Sequence, residues 1–116
     1  MSRLAATDPA VAAALGSIPP RDQLRLAMVA ADMALTETNQ SPPRDPDELA
    51  VSVETLDAVA WNLQEQGSLG YQAAFARARA VSSLLFAMRG EVDEAIYEAI
   101  HASRMPDDIR ALVIET

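Results

Sequence analysis

The chain contains no cysteine. A disulfide framework, a thiol nucleophile, an iron–sulfur cluster and a thiolate zinc site are therefore all excluded, and this usage fits a reducing cytoplasm. Glycine is also scarce, with four residues at positions 16, 67, 70 and 90. This spacing supplies neither a phosphate-binding loop nor a dinucleotide-binding fingerprint.

Long apolar runs are missing as well. Thr7, Asp8 and Pro9 interrupt the first turns of the chain, which argues against a signal peptide. Runs such as 26–31 are too short to cross a bilayer. We therefore expect a cytoplasmic protein with no membrane partner. Lysine is absent too, so every basic side chain is arginine, a usage typical of high-GC bacterial genomes.

Basic residues are few and acidic residues many. There are nine arginines against 17 acidic residues, giving a net charge of −8. This excess argues against nucleic acid or an anionic membrane as a partner and favours a basic protein. The charge is uneven: residues 31–70 carry one arginine and eight acids, residues 71–90 three arginines, and residues 91–116 two arginines and seven acids.

Helical periodicity runs along most of the chain, and no segment shows strand alternation bounded by hairpin turns. The length of 116 residues with 50% hydrophobic side chains is typical of one globular domain. We predict a single all-α domain over 1–116, a compact bundle of about five helices. It would comprise an N-terminal helical unit at 9–38, a polar, proline-containing linker at 38–45 and a helical bundle at 46–116.

The N-terminal unit is predicted to hold two helices. Asp8 and Pro9 are typical of a helix start and Gly16 of a stop, which indicates a helix at 9–15. A second helix at 21–38 is apolar around most of its circumference, so we expect it to be the most buried helix. Its helical repeat consists of Leu24, Met28, Ala31 and Leu35.

The next helix carries the clearest signals in the sequence. Asp45, Pro46 and Glu48 have the form of a capping box, and Gly67 marks the end of the helix. Apolar residues recur along it at heptad spacing, as Leu49, Val53, Leu56, Ala60 and Leu63. We expect this stripe to be buried, with Leu56 at its centre.

Residues 86–96 read Phe-Ala-Met-Arg-Gly-Glu-Val-Asp-Glu-Ala-Ile and are followed by Ala99, Ala102 and Pro106. This segment resembles the inner half of a tetratricopeptide unit, in which a glycine turns between two antiparallel helices and small residues allow close packing. There is no second copy at the period of about 34 residues that the family uses. The resemblance therefore implies a helical hairpin around Gly90. A last helix is predicted to begin at Pro106.

The helix after Gly90 begins with acidic residues. Glu91, Asp93 and Glu94 lie in its first turn, where acids stabilise the helix dipole. Glu98 lies beyond that turn and gains little from the dipole. This surplus of acid favours a partner-binding surface made of Glu91, Asp93, Glu94 and Glu98.

The only histidine, His101, follows Glu98 at a spacing that places both on one helix face. Carboxylate-bridged di-iron bundles use this Glu-x-x-His spacing, but a complete site needs a second motif and two further glutamates. Only a symmetric dimer of this chain could supply them. The alternative is that both side chains lie on a solvated face opposite Ile96 and Ile100.

A second metal hypothesis pairs Glu54 and Asp57 with Glu91 and Glu94. Two such acidic pairs on separate helices could hold magnesium on a phosphorylated substrate. The pattern resembles all-α nucleotide pyrophosphohydrolases, although the order of the two motifs is reversed here. A metal-dependent all-α enzyme is thus the alternative function.

No catalytic constellation in the sequence is complete. We therefore favour a non-enzymatic protein–protein interaction domain, of adapter, inhibitor or immunity type, that binds a basic partner and needs no cofactor. The lone Trp61 is interpreted as a core-edge or interface residue. Five short helices would not cover both the apolar helix at 21–38 and the stripe at 49–63, which favours a homodimer.

Overall fold

The structure is a computed structural model that describes residues 2–116, and all of its regular elements are helices. The helices are α1 (Arg3–Thr7), α2 (Pro9–Gly16), α3 (Pro20–Glu37), α4 (Pro46–Glu65), α5 (Tyr71–Met88), α6 (Val92–Ala102) and α7 (Pro106–Ile114). The all-α prediction is confirmed, whereas the expected number of about five helices is too low. Within the described part of the chain, no helix combines the length and apolarity needed to span a bilayer.

Helix α1 is the element that the sequence did not indicate. The Ser2 hydroxyl accepts a hydrogen bond from the Ala5 amide at 3.1 Å and so caps the helix. Asp8 then ends α1 and caps α2, since its carboxylate accepts from the Val11 amide at 3.4 Å. A helix of five residues is too short to show a hydrophobic period, which explains why it was missed.

Helix α5 lies at the centre of the molecule and packs against α3, α4 and α6. It buries eight residues, compared with six in α3. The expectation that α3 is the most buried helix is therefore wrong. Helix α3 turns one side to solvent and leaves Leu24 and Val29 exposed, whereas α5 has helices on several sides.

Helix α4 begins where the capping signal predicted. The Asp45 carboxylate accepts from the Glu48 amide at 3.0 Å, and Pro46 occupies the first helical position. The helix packs almost entirely on α5, which makes the molecule elongated, with extents of 43 × 27 × 26 Å. Because only one neighbour covers α4, only part of the predicted stripe is buried: Leu49 and Ala60 are buried, and Val53, Leu56 and Leu63 are half-buried.

Helices α5 and α6 are joined by a turn at Gly90 and pack against each other. Gly90 has a φ of 77°, and the Glu91 amide donates to the Phe86 carbonyl at 2.9 Å, which closes the end of α5. The buried Ser83 hydroxyl donates to the Ala95 carbonyl at 2.7 Å and ties the two helices together. The hairpin thus fixes the position of the acidic residues on α6.

Candidate functional site

Of the four acidic residues predicted to bind a partner, three lie on α6 and Glu91 directly precedes it, but they do not form one exposed surface. Glu91 and Asp93 are exposed, and Glu94 is half-buried. Glu98 is only 6% exposed. The idea that Glu98 lies on a solvated face is therefore wrong.

Two arginines surround the buried Glu98. Arg3 donates to Glu98 at 2.8 Å and to Glu94 at 2.9 Å through Nε, and its guanidinium lies 4.3 Å from the centre of the Tyr97 ring. Arg79 of α5 lies 3.6 Å from the second Glu98 oxygen. The hydrogen bond to Glu94 is the largest of the effects that raise the pKa of Arg3 above its ordinary value. These contacts tie α1 and α5 to α6.

The contacts with Arg3 and Arg79 explain the presence of Glu98, which the helix dipole did not explain. Glu94 and Glu98 hold α1 in place through Arg3. The charge of the Glu98 carboxylate is balanced by two arginines and therefore contributes little to the attraction of a partner. Exposed Glu91 and Asp93 remain as the part of the predicted surface that a partner could reach. Sequence reasoning could not find this, because Arg3 is 91 residues distant from Glu94 along the chain.

The residues of the two metal hypotheses are not brought together. Among residues 2–116, no group of three or more histidine, aspartate and glutamate side chains is placed to hold a metal ion. His101 faces its own helix, with Nδ1 lying 2.8 Å from the Tyr97 carbonyl oxygen and its ring 4.2 Å from the Tyr97 ring. Glu98 is occupied by Arg3 and Arg79 instead.

A polar cleft of about 540 Å³ lies where α3 and α6 end beside α5. Arg77, His101 and Arg104 line it, together with Glu37. The Glu37 carboxylate accepts from the Ser103 hydroxyl at 2.5 Å and the Arg104 amide at 2.7 Å. Each helix C-terminus adds about half a negative charge. With Glu37, the two ends offset the two arginines, so this cleft has no strong preference for an anion.

Helix α4 and the start of α5 carry charges of one sign only. Residues 45–76 contain six acidic side chains and no basic one. Five of the six acids are exposed, namely Asp45, Asp47, Glu48, Glu54 and Glu65. The sixth, Asp57, is half-buried, and this burial raises the pKa of its carboxyl above the ordinary value despite the opposing charge of Arg79.

Large apolar side chains are exposed along the same segment. Val51 is 62% exposed and Trp61 57%, because α4 has a packing partner on one side only. Leu69, in the turn between α4 and α5, is 95% exposed. The interpretation of Trp61 as a residue at the edge of the core or at an interface agrees with this exposure. Exposed apolar side chains within an acidic surface are typical of a protein-binding site.

Trp61 is part of an aromatic cluster at the end of the α4–α5 hairpin. Its ring centre lies 5.1 Å from that of Phe75, and the rings are nearly perpendicular at 89°. Tyr71 meets Phe75 in the same way, at 6.2 Å and 88°. Sequence reasoning missed this cluster, although the spacing of Tyr71 and Phe75 already places them on one helix face.

Comparison of the chain with protein-family models, with curated proteins and with solved structures finds no match. Function must therefore be argued from the contacts and charges of the chain itself.

Proposed function

We propose that the chain is a non-enzymatic protein–protein interaction domain, of adapter, inhibitor or immunity type, that binds a basic partner. The observation that carries this proposal is helix α4, which bears only acidic charges, packs almost entirely on α5 and leaves Val51 and Trp61 exposed. In this proposal the chain acts as one all-α cytoplasmic domain without a cofactor. Its tetratricopeptide-like hairpin around Gly90 serves as a rigid support.

Charge and apolar surface have different roles in this proposal. The exposed carboxylates attract a basic surface over distances of up to about 10 Å at moderate salt and raise the association rate. Exposed apolar side chains contribute to the lifetime of the complex once water is excluded. Glu91 and Asp93 at the start of α6 form a second acidic area that could add to the attraction.

The experiment uses two short peptides, one in which arginine alternates with serine and one in which glutamate replaces arginine. Binding is followed by the fluorescence of Trp61, the only tryptophan. We expect the arginine peptide to bind and its affinity to fall as salt rises, whereas the glutamate peptide should not bind.

Three double variants locate the interaction. Glu54→Gln with Glu65→Gln should weaken binding by about two- to fivefold per charge, as expected for exposed ion pairs. Asp108→Asn with Glu115→Gln removes the same charge from an exposed region of α7 and should change little. Glu91→Gln with Asp93→Asn measures the contribution of α6. Equal losses in the first two variants would mean that only net charge matters, and would contradict a defined binding surface.

A further inference from the structure

The aromatic residues of the chain are distributed unusually. Trp61, Tyr71 and Phe75, three of the five aromatic residues, form the cluster at the end of the α4–α5 hairpin. The other two, Phe86 and Tyr97, pack against the main buried core. Aromatic side chains supply more apolar area than most residues, so placing three of them outside the core gives up stability that the core could have used.

The exposed member of the cluster lies between carboxylates. Asp57 precedes Trp61 by four residues and Glu65 follows it by four, so the three side chains lie on one face of α4. A cation over the indole ring would be attracted by the ring and by both carboxylates. Tryptophan is the best of the aromatic side chains for this interaction. Residues 45–76 themselves contain no basic side chain.

The chain already contains this combination where α1 packs on α6. The Arg3 guanidinium lies 4.3 Å from the centre of the Tyr97 ring and donates to the carboxylates of Glu94 and Glu98. One arginine is thus held by an aromatic ring and two acids that are neighbours on a helix. Trp61 with Asp57 and Glu65 offers a similar set of groups, and Arg79, whose charge acts on Asp57, is paired with Glu98 instead.

From this correspondence we infer that Trp61, with Asp57 and Glu65, binds an arginine side chain of a basic partner protein. The inference rests on the proposed function and specifies the partner chemistry at one place. Guanidinium suits the site better than ammonium, because its planar group stacks on an aromatic face while its edge donates to carboxylates. The Phe75 ring packs nearly perpendicular to the indole, with the ring centres 5.1 Å apart, and covers part of it.

The test compares the arginine–serine peptide with a lysine–serine peptide of the same length and charge. Trp61 fluorescence reports contact in the native protein, and the anisotropy of labelled peptides reports affinity in every variant. We expect the arginine peptide to shift the Trp61 emission and to bind more tightly than the lysine peptide. Trp61→Leu keeps apolar volume but removes the indole, and should weaken arginine-peptide binding by about two- to thirtyfold.

Two further variants serve as references. Trp61→Phe should restore part of the affinity, since a smaller aromatic ring remains. Leu69→Ala changes another apolar side chain, in the turn between α4 and α5, that is 95% exposed, and should have little effect. Melting temperatures of the variants should stay close to that of the native protein, because Trp61 is largely exposed.

Each other outcome would overturn the inference in a distinct way. Binding of the arginine peptide that survives Trp61→Leu would overturn the arginine site while leaving the proposed function intact. Equal affinity for both peptides would overturn the choice of arginine. A doubling of molecular mass that accompanies the emission shift would mean that a second copy of the chain covers Trp61. Absence of binding by either basic peptide would overturn both the inference and the proposed function.

Discussion

At the scale of single residues, Glu98 has the largest predicted effect on stability among the polar side chains. It is buried, and its two oxygens face Arg3 and Arg79 at 2.8 and 3.6 Å. Replacing one partner of such a pair leaves the remaining charges without compensation. We expect Glu98→Gln to lower the free energy of unfolding by about 1–3 kcal/mol in urea denaturation.

Asp93→Asn is the matched control for Glu98, because Asp93 is exposed on the same helix. It should change stability by less than about 0.5 kcal/mol. If Glu98→Gln were as mild as this control, the contacts with Arg3 and Arg79 would contribute nothing measurable to the fold.

The ionised carboxylate of Asp57 is expected to lower the stability of the fold, in contrast to that of Glu98. Burial raises the pKa of its carboxyl, so the folded state favours the protonated form and ionisation of Asp57 lowers stability. That loss is complete above the folded pKa and disappears as pH falls below the unfolded value. Asp57→Asn should therefore raise the melting temperature at pH 7, and the gain should shrink in acid.

Glu54→Gln removes one negative charge from an exposed position on the same helix and controls for general charge repulsion. A gain that is equal for Glu54→Gln and Asp57→Asn, and equally dependent on pH, would assign the effect to repulsion within α4 and not to burial of Asp57.

At the scale of helices, the packing of α4 predicts how much each residue of its apolar stripe contributes to stability. Leu49 is fully buried and belongs to the main core, whereas Leu56 is half-buried beside it. Leu49→Ala should cost about 2–5 kcal/mol, as complete burial of a leucine implies. Leu56→Ala should cost clearly less, although the periodicity placed it at the centre of the stripe. Urea denaturation of both variants measures the difference, and the reverse order would show that α4 packs in another orientation.

The turn between α5 and α6 depends on a glycine. Gly90 has a φ of 77°, which L-residues adopt at a cost, while its neighbourhood leaves room for a side chain. Gly90→Ala should therefore destabilise the fold by about 1–2 kcal/mol through backbone strain alone. Gly16→Ala, at the end of α2 and also in open space, should stabilise by about 0.4–1 kcal/mol. Thermal unfolding of the two variants tests this contrast, and shifts of the same sign would contradict it.

The sequence indicated most helix boundaries, because Asp45, Gly67 and Gly90 act within a few residues of their position. It did not indicate how many helices cover each face. Helix α4 has a regular stripe but one main neighbour, and α3 has an apolar circumference but an exposed side. Periodicity describes a helix by itself, whereas burial depends on elements that are distant in the sequence.

The candidate site shows the same limit. The acidic character of residues 31–70 and a place for Trp61 outside the centre of the core could be inferred from composition. The cluster of Trp61 with Phe75 could not, because it depends on how α5 packs on α4. The helix dipole did not explain the acid at position 98, which favoured a partner-binding role. In the structure Arg3 forms an ion pair with Glu98 and balances its charge.

At the scale of the whole molecule, a homodimer remains a prediction, and charge determines which face can form it. In a two-fold dimer each patch meets its own copy, so an interface through the acid-only α4 would oppose like charges. The side of α3 that carries Val29 is better suited. It borders an apolar groove with Met33 and Met105, and nearby Arg25 and Asp32 supply charges of both signs.

Light scattering over a range of protein and salt concentrations would test this dimer. Because each chain carries a net charge of −8, salt should strengthen self-association by screening the repulsion between copies. Val29→Glu should shift the mass towards the monomer, whereas Val51→Glu on α4 should leave it unchanged, since both residues are exposed and accept a charge without loss of the fold. A monomer mass under all conditions would exclude the homodimer, and dissociation by Val51→Glu alone would place its interface on α4.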